Sequence, residues 1–188
     1  MTAAARIAAR FDSRFLQGYI RSKVRTDPVY RAVLERLRGH AHPLVDVGCG
    51  VGVLSLFLRE HGFTQAIEGV DFDARKIAAA RKASSGVDGL TFRTGDAREP
   101  LPANRSVLML DLLHYFRDDE QRLILANAAR AVPPGGVVII RDAIRDGSWR
   151  YRMTYAQESF SRAIAWLKAE RLNFPARETI EGAFAGFE

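Results

Sequence analysis

Short apolar runs alternate with segments of helical spacing from residue 43 onward. The apolar runs predict strands at 43–48, 66–71, 90–94, 106–111 and 136–141. The helical spacing predicts helices at 52–61, 73–84, 118–131 and about 155–171. Strands separated by helices indicate βαβ units, which place a parallel sheet between two layers of helices. We therefore predict an α/β, doubly wound fold with a mostly parallel sheet.

The first 40 residues are predicted to be helical, with one break near Thr26 where Pro28 can begin a new helix. Before this break, arginines and apolar residues each recur every four positions: Arg6, Arg10 and Arg14, and Ile7, Phe11 and Phe15. Such spacing is typical of an amphipathic helix.

Composition and charge narrow the class of protein. The 188 residues suit one globular domain, and the net charge of +6 is concentrated near the N-terminus. Residues 1–26 hold six basic side chains and one acidic side chain, whereas the rest of the chain is nearly balanced. The single cysteine, Cys49, excludes an internal disulfide bond, and no apolar stretch approaches the roughly 18 residues that span a bilayer. No secretory segment is recognisable, and the alanine- and arginine-rich composition suggests a bacterial chain, so we expect a cytoplasmic location.

A glycine-rich turn follows the first predicted strand. Residues 45–52 read Val-Asp-Val-Gly-Cys-Gly-Val-Gly and lead into the next helix. Glycines at such a strand-to-helix turn let the backbone bend sharply and let a ligand lie against main-chain amides. A dinucleotide fingerprint would need its third glycine at the position of Val53, so that pattern fails by one residue.

Acidic residues also close the next three strands, at Asp71, within 93–97 at Asp96, and at Asp111. Strand interiors select against aspartate, so packing alone does not explain them. In an open parallel sheet, ligands bind beyond the carboxyl ends of the strands. These acids are therefore candidate ligand-binding residues, whereas Asp73 is better interpreted as the N-cap of the following helix.

Residues 45–52 resemble motif I of the class I S-adenosylmethionine (SAM)-dependent methyltransferases, and four further segments correspond to later motifs. Gly-Val-Asp-Phe-Asp at 69–73 resembles the acidic loop after the second strand, and Gly-Asp-Ala at 95–97 resembles the adenine-contacting loop. Leu-Asp-Leu-Leu-His-Tyr-Phe at 110–116 resembles motif IV, and 133–142 resembles the turn and fifth strand. The resemblance covers about residues 40–150 and implies a Rossmann-like fold that binds SAM and releases S-adenosylhomocysteine. No cluster of His, Cys or carboxylate side chains has metal-ligand spacing in the sequence, so we expect no metal ion.

The resemblance also implies a role for each matched residue. Asp71 would bind the ribose hydroxyls, Phe72 would lie against the adenine, and Asp96, with Ala97 beside it, would accept from the adenine amino group. The methionine end would lie near the remaining matched positions, which are Asp46, Gly48, Gly50, Gly52 and the backbone around Asp111. The N-terminal helices, at residues 1–40, would form a lid over the sheet domain at 41–188. A helix that simply packs with its arginines in water is the other interpretation.

His114 is the candidate catalytic residue, because a hydroxyl acceptor must lose a proton and a histidine near the methyl group is a suitable base. A histidine that only hydrogen-bonds within its loop remains the alternative. Motif IV here lacks the Asn/Asp-Pro-Pro-Tyr/Phe pattern of amino-directed nucleic-acid enzymes, so we expect a small-molecule acceptor. Oxygen is the favoured acceptor atom, with carbon or nitrogen left open, and a homodimer is allowed. Two other functions stay open: an RNA methyltransferase that uses the basic N-terminal helix, and a non-catalytic SAM-binding protein.

The C-terminus departs from the family pattern, which normally ends with a hairpin of strands 6 and 7. Residues 181–188 resemble the turn that enters this hairpin. We therefore expect strands 6 and 7 to be missing from a C-terminally truncated chain. A sheet that ends at strand 5 is the other interpretation.

Overall fold

Five parallel strands form one sheet in the computed structural model, which describes residues 1–144 and 172–187. The strands are β1 (Leu44–Val47), β2 (Ile67–Asp71), β3 (Leu90–Thr94), β4 (Ser106–Leu110) and β5 (Val138–Arg141). Their order in the sheet is β3-β2-β1-β4-β5, with every neighbouring pair parallel. This order is that of the class I methyltransferase fold, so the prediction of an α/β doubly wound architecture is confirmed. All five strands lie within two residues of their predicted positions.

Seven helices surround the sheet in the described part of the chain. They are α1 (Ala3–Ala9), α2 (Arg14–Thr26), α3 (Val29–Arg36), α4 (Val53–Glu60), α5 (Ala74–Ala83), α6 (Asp118–Ala131) and α7 (Arg177–Ala183). The side chain of Asp73 accepts a hydrogen bond from the Arg75 amide, so its predicted role as the N-cap of α5 is confirmed. None of the helices within 1–144 and 172–187 has the length and apolar character needed to cross a membrane.

The prediction of one continuous amphipathic helix through residues 6–15 was wrong. Helix α1 ends at Ala9, and Ser13 begins α2 by accepting a hydrogen bond from the Leu16 amide. Ile7 and Phe11 are buried, but Phe15 is 68% exposed because it belongs to the second helix. The Ser13 side chain therefore begins a new helix within the four-residue pattern, so this pattern does not correspond to one continuous helix.

Alternate residues of the strands belong to two hydrophobic cores, one on each face of the sheet. Leu44 of β1 and Leu108 of β4 pack with apolar residues of α1, α3 and α4. Val45 and Val107 point to the other face and pack with residues of α6. Such two-sided burial explains why the strands read as nearly continuous apolar runs, and it leaves the carboxyl edge of the sheet for polar groups.

The C-terminal segment differs from the expected hairpin entry. Residues Arg177–Ala183 form helix α7, which packs against α6, and only an isolated bridge joins Ala185 to Phe187. The sheet has five strands in the described ranges. The helix predicted at 155–171 lies outside the described residues.

Candidate active site

The sheet order reverses between β1 and β4, and the glycine turn lies at the carboxyl end of β1 next to this switch point. Gly48, Gly50 and Gly52 all adopt positive φ angles, of 77°, 57° and 76°, which other residues rarely adopt. A Cβ atom added at Gly50 would meet no protein atom within 4 Å, so open space lies beside the turn. The turn thus presents main-chain groups to a space that a ligand can fill.

Asp71 is held next to this turn by two backbone amides. The Gly50 amide donates to Oδ2 and the Asp73 amide donates to Oδ1, each at 2.9 Å. The carboxylate is almost fully buried. Each carboxylate oxygen can accept a second hydrogen bond, so the oriented pair of oxygens suits a vicinal diol. This geometry fits the ribose of a nucleoside.

Asp46 lies inside β1, behind the glycine turn and close to Asp71. The hydroxyl of Ser55 on α4 donates to its Oδ2 at 3.4 Å. Burial raises the pKa of Asp46 to about 7, the nearby charge of Asp71 adds to the rise, and the Ser55 hydroxyl opposes it. Asp46 is therefore a buried group that can change its protonation state near neutral pH.

The residues predicted to meet the adenine lie at the carboxyl ends of β2 and β3. Phe72 directly follows β2 and the residue is 63% exposed, so its ring is accessible to a ligand ring. Arg98 holds the Asp96 carboxylate from the side, with its Nε donating to Oδ1 at 2.9 Å, and this hydrogen bond lowers the pKa of Asp96. Ala97 is buried and belongs to the second core. Asp96 therefore stays ionised as an acceptor, but it shares its oxygens with Arg98.

Asp111 closes β4 in a left-handed conformation, with φ of 55°. Arg141 at the end of β5 stabilises it twice: the Arg141 carbonyl accepts from the Asp111 amide at 2.8 Å, and Nε lies 3.3 Å from Oδ1. The same guanidinium donates to Asp27, between α2 and α3, at 2.7 Å. Arg141 thereby joins the N-terminal helices to the carboxyl edge of the sheet.

His114 lies in a short 3-10 turn (Leu113–Tyr115) after β4 and is only 2% exposed. Its Nδ1 lies 2.7 Å from Oδ1 of Asp142, and its backbone amide donates to Oδ2 at 3.3 Å. An ionised carboxylate can only accept, so Nδ1 is the donor and Nε2 keeps its lone pair in the neutral ring. Nε2 is buried and finds no hydrogen-bond partner in the described parts of the chain. An oriented imidazole with a free lone pair has the form of a general base.

The segment Leu172–Phe174 covers this histidine. The Asn173 amide donates to the His114 carbonyl at 2.8 Å, and the Phe174 ring stacks on the imidazole with centroids 5.2 Å apart. Gln121 of α6 donates its side-chain amide to the Asn173 carbonyl at 2.6 Å. Residues far apart in the chain therefore build the surroundings of His114.

Sequence reasoning did not assign a role to Asp142, Arg141 or Phe174. Asp142 carried a usable signal, because it closes the fifth strand as Asp71 and Asp111 close others. Nothing in the sequence pattern indicated that Phe174 would lie on the histidine ring. Within residues 1–144 and 172–187, no group of three His, Cys, Asp or Glu side chains could hold a metal ion.

The fold and the switch-point geometry agree with comparisons to known proteins. A family described as "Methyltransferase domain" matches residues 44–136, which run from β1 to the turn before β5. The chain carries a class I SAM-dependent methyltransferase domain.

Curated relatives include enzymes that methylate small molecules. The chain is 29% identical over 140 residues to anthranilate N-methyltransferase of Ruta graveolens, covering 72% of this chain and 37% of the relative. It is 32% identical over 105 residues to desmethylxanthohumol 6'-O-methyltransferase of Humulus lupulus, covering 55% and 28%. The chain therefore spans about a third of the length of these relatives.

Among solved structures, magnesium protoporphyrin IX methyltransferase from Synechocystis PCC 6803, with bound S-adenosylhomocysteine (SAH), is similar with a TM-score of 0.64. The two chains are 20% identical, and the match covers 95% of this chain and 79% of that one. At this identity the match shows a shared fold.

Proposed function

We propose that this chain binds SAM at the glycine turn and transfers its methyl group to a hydroxyl of a small molecule, with His114 as the base. The choice of a hydroxyl acceptor rests on one observation. His114 pairs with Asp142 through Nδ1, and its Nε2 is buried without a hydrogen-bond partner in the described residues. An amine or carbanion acceptor could react without a dedicated imidazole, whereas a hydroxyl gains from one. The O-methyltransferase among the relatives supports this choice.

The cofactor is expected to lie across the carboxyl ends of β1 and β2. Asp71 would accept from the two ribose hydroxyls with the lone pairs that Gly50 and Asp73 leave free. The exposed ring of Phe72 would pack on the adenine, and Asp96 would accept from its amino group. Gly50, with open space beside it, would allow the methionine portion to approach the main chain, whereas Gly48 and Gly52 shape the turn and pack closely against Leu112 and Phe92. When bound, SAM supplies an activated methyl group on a positively charged sulfur.

The proton balance of the transfer rests on His114. Nε2 takes the hydroxyl proton while the acceptor oxygen forms its bond to the methyl carbon and the carbon–sulfur bond breaks. The bonding electrons of that bond remain on sulfur, so the products are a methyl ether, S-adenosylhomocysteine and an imidazolium. Asp142 stabilises the imidazolium through Nδ1 and holds the ring in the tautomer that leaves Nε2 unprotonated beforehand. Asp142 is a positioning residue in this scheme.

Methyl transfer from labelled SAM to a panel of small hydroxylated and amino aromatic compounds tests the proposal. The wild-type chain should label hydroxylated compounds, and His114→Gln should lower kcat about 100-fold or more with little change in SAM affinity. Glutamine has a similar size but cannot take the proton. Equal kcat values for the two proteins would contradict the role of His114, and labelling of amines alone would contradict the hydroxyl acceptor.

RNA methylation remains the second candidate because α2 exposes Arg14, Arg21 and Arg25 along one stripe. Binding that weakens steeply with added salt would support an RNA substrate, and an absence of RNA binding at low salt would remove it. Cytoplasmic location, a single domain with an N-terminal lid and a homodimer all remain predictions.

A further inference from the structure

Arg98 holds the carboxylate of Asp96, which is proposed to accept from the adenine amino group. The Arg98 guanidinium donates to both oxygens, from Nε to Oδ1 at 2.9 Å and from Nη2 to Oδ2. The backbone amide of Arg98 also donates to Oδ1, at 2.9 Å. A carboxylate oxygen accepts about two hydrogen bonds, so Oδ1 is filled and Oδ2 keeps one acceptor position. The Asp96 side chain is 37% exposed, so a ligand can reach that position.

The Arg98 guanidinium is itself anchored at the start of helix α6. Its Nη1 donates to Oε1 of Glu120, whose other oxygen accepts from the Arg117 amide at 3.0 Å. The guanidinium also lies over the Phe116 ring, 5.9 Å from the ring centroid. These contacts limit the rotation of the guanidinium, and they thereby hold the Asp96 carboxylate in one plane.

A second aspartate–arginine pair has the same local geometry without this anchor. Oδ1 of Asp73 accepts from the Arg75 amide at 2.9 Å and from Nε at 3.2 Å, and Oδ2 accepts from Nη2 at 3.0 Å. The Arg75 side chain is 81% exposed, and Asp73 is its only ion-pair partner in the described ranges. The local turn therefore forms without help from another helix, and the link to Glu120 distinguishes Arg98 from Arg75.

The loop that carries Asp96 lies next to the proposed ribose site. Thr94 of β3 is the register partner of Asp71, and the Gly95 amide donates to the Asp71 carbonyl at 3.1 Å. A ribose bound to the Asp71 carboxylate would therefore have its base near this loop.

We propose that Arg98 is a positioning residue that makes the cofactor site specific for a 6-aminopurine. This inference rests on the proposed function and adds the residue that selects the base. Because Oδ1 is filled and the carboxylate is fixed, the remaining position on Oδ2 accepts from the amino group. A 6-oxopurine presents a carbonyl oxygen to the same position, and two acceptors repel each other. Without Arg98, the carboxylate can turn and accept from the N1–H group of the 6-oxopurine.

The affinities of two ligands for the chain test this role. One ligand is SAH, and the other is S-inosylhomocysteine, which carries an oxygen in place of the adenine amino group. The wild-type chain should bind SAH about 30-fold more tightly in calorimetry. Arg98→Met keeps an apolar stem but removes the donors, and it should lower this ratio to about threefold. Equal affinities in the wild type, or an unchanged ratio in the folded variant, would overturn the proposal.

Two further arginine variants separate the anchored fork from charge alone. Arg75→Met removes the same local contacts from Asp73 and is the matched control, so its ratio should equal that of the wild type. A fall as large as that of Arg98→Met would overturn the specific role of Arg98. Arg98→Lys keeps the positive charge but lacks the planar fork, so its ratio should fall to about tenfold. A wild-type ratio in the lysine variant would overturn positioning by the fork.

Asp96→Ala separates this inference from the proposed function. The variant should bind both ligands with similar affinity, because no carboxylate remains to select the base. If it does so while Arg98→Met keeps the wild-type ratio, only the role of Arg98 is overturned. If Asp96→Ala itself keeps the wild-type ratio, Asp96 does not contact the adenine, and the proposed cofactor contact fails together with this inference. A folded wild-type chain that binds neither ligand would likewise overturn both.

Discussion

The two halves of the candidate active site are built in different ways. On the cofactor side, Asp46, the glycine turn and Asp71 lie within 26 residues of sequence, and backbone amides orient the Asp71 carboxylate. On the acceptor side, His114 is oriented by Asp142, 28 residues away, and is covered by Phe174. The first half depends on local backbone geometry, whereas the second depends on side chains that only the tertiary fold brings together. Substitutions in the two halves should therefore affect different measurements.

The largest effect is expected at Asp71. Asp71→Ala should weaken SAM binding about 100-fold, because it removes a charged hydrogen-bond acceptor that the turn holds in place. Calorimetry on the folded variant measures this loss. Asp73→Ala is the matched control, since it removes an adjacent carboxylate that caps α5 and pairs with Arg75. A comparable loss of affinity in the control would mean that helix α5, and not Asp71 itself, governs binding.

Asp142 should affect turnover and not cofactor affinity. Asp142→Asn keeps the shape of the side chain but no longer stabilises an imidazolium, so we expect kcat to fall about tenfold or more. The KM for the acceptor and the affinity for SAM should change little, and Asp142→Glu should recover part of the rate. Steady-state kinetics with an acceptor from the panel measures these values. A rise in KM without a fall in kcat would indicate that Asp142 shapes the pocket instead.

Asp46 should make stability depend on pH in a characteristic window. Its pKa is raised from 3.8 to about 7 by burial, so between these values the folded chain keeps a proton that the unfolded chain loses. Its contribution is fully present below about pH 4 and falls as pH rises towards 7, by up to about 4 kcal/mol. Asp46→Asn should lack this fall. Urea unfolding of both proteins across the pH range, without SAM, measures the difference.

The pKa of Asp73 is shifted in the opposite direction from that of Asp46, so Asp73 serves as a control. The hydrogen bond from Arg75 lowers the pKa of Asp73 to about 2. Asp73→Asn should therefore differ from the wild type above about pH 4 by a constant amount, and the difference should shrink as pH falls towards 2. A pH-dependent difference between 4 and 7 in this variant would contradict the assignment of the window to Asp46.

The smallest expected effect is a loss of stability on substitution of Arg141, where the N-terminal helices meet the sheet. Arg141→Ala removes the link between Asp27 and Asp111 and should lower the free energy of unfolding by about 1 kcal/mol, because the Arg141 side chain is 41% exposed. Arg117→Ala removes a more exposed ion pair and should cost less than about 0.5 kcal/mol. Urea unfolding compares them, and equal losses would mean that Arg141 does not join the helices to the sheet.

The parallel sheet was predictable because buried strands and amphipathic helices have distinct periods of hydrophobicity. The break between α1 and α2 was missed because the Ser13 cap acts over three residues, within a pattern that continues past it. The helical form of Arg177–Ala183 was missed because the family pattern suggested a hairpin there, whereas the segment packs on α6.

The sequence by itself determined the class of the domain, the order of its elements and the cofactor-side candidates. Glycine conformation, strand periodicity and acidic residues at strand ends are local properties, so they can be recognised in a single sequence. Only the tertiary structure decided that Asp142 meets His114, that Arg141 links Asp27 to Asp111, and that Phe174 covers the imidazole. These contacts join residues 28 to 114 positions apart, and their formation depends on how helices and strands pack and not on any local preference.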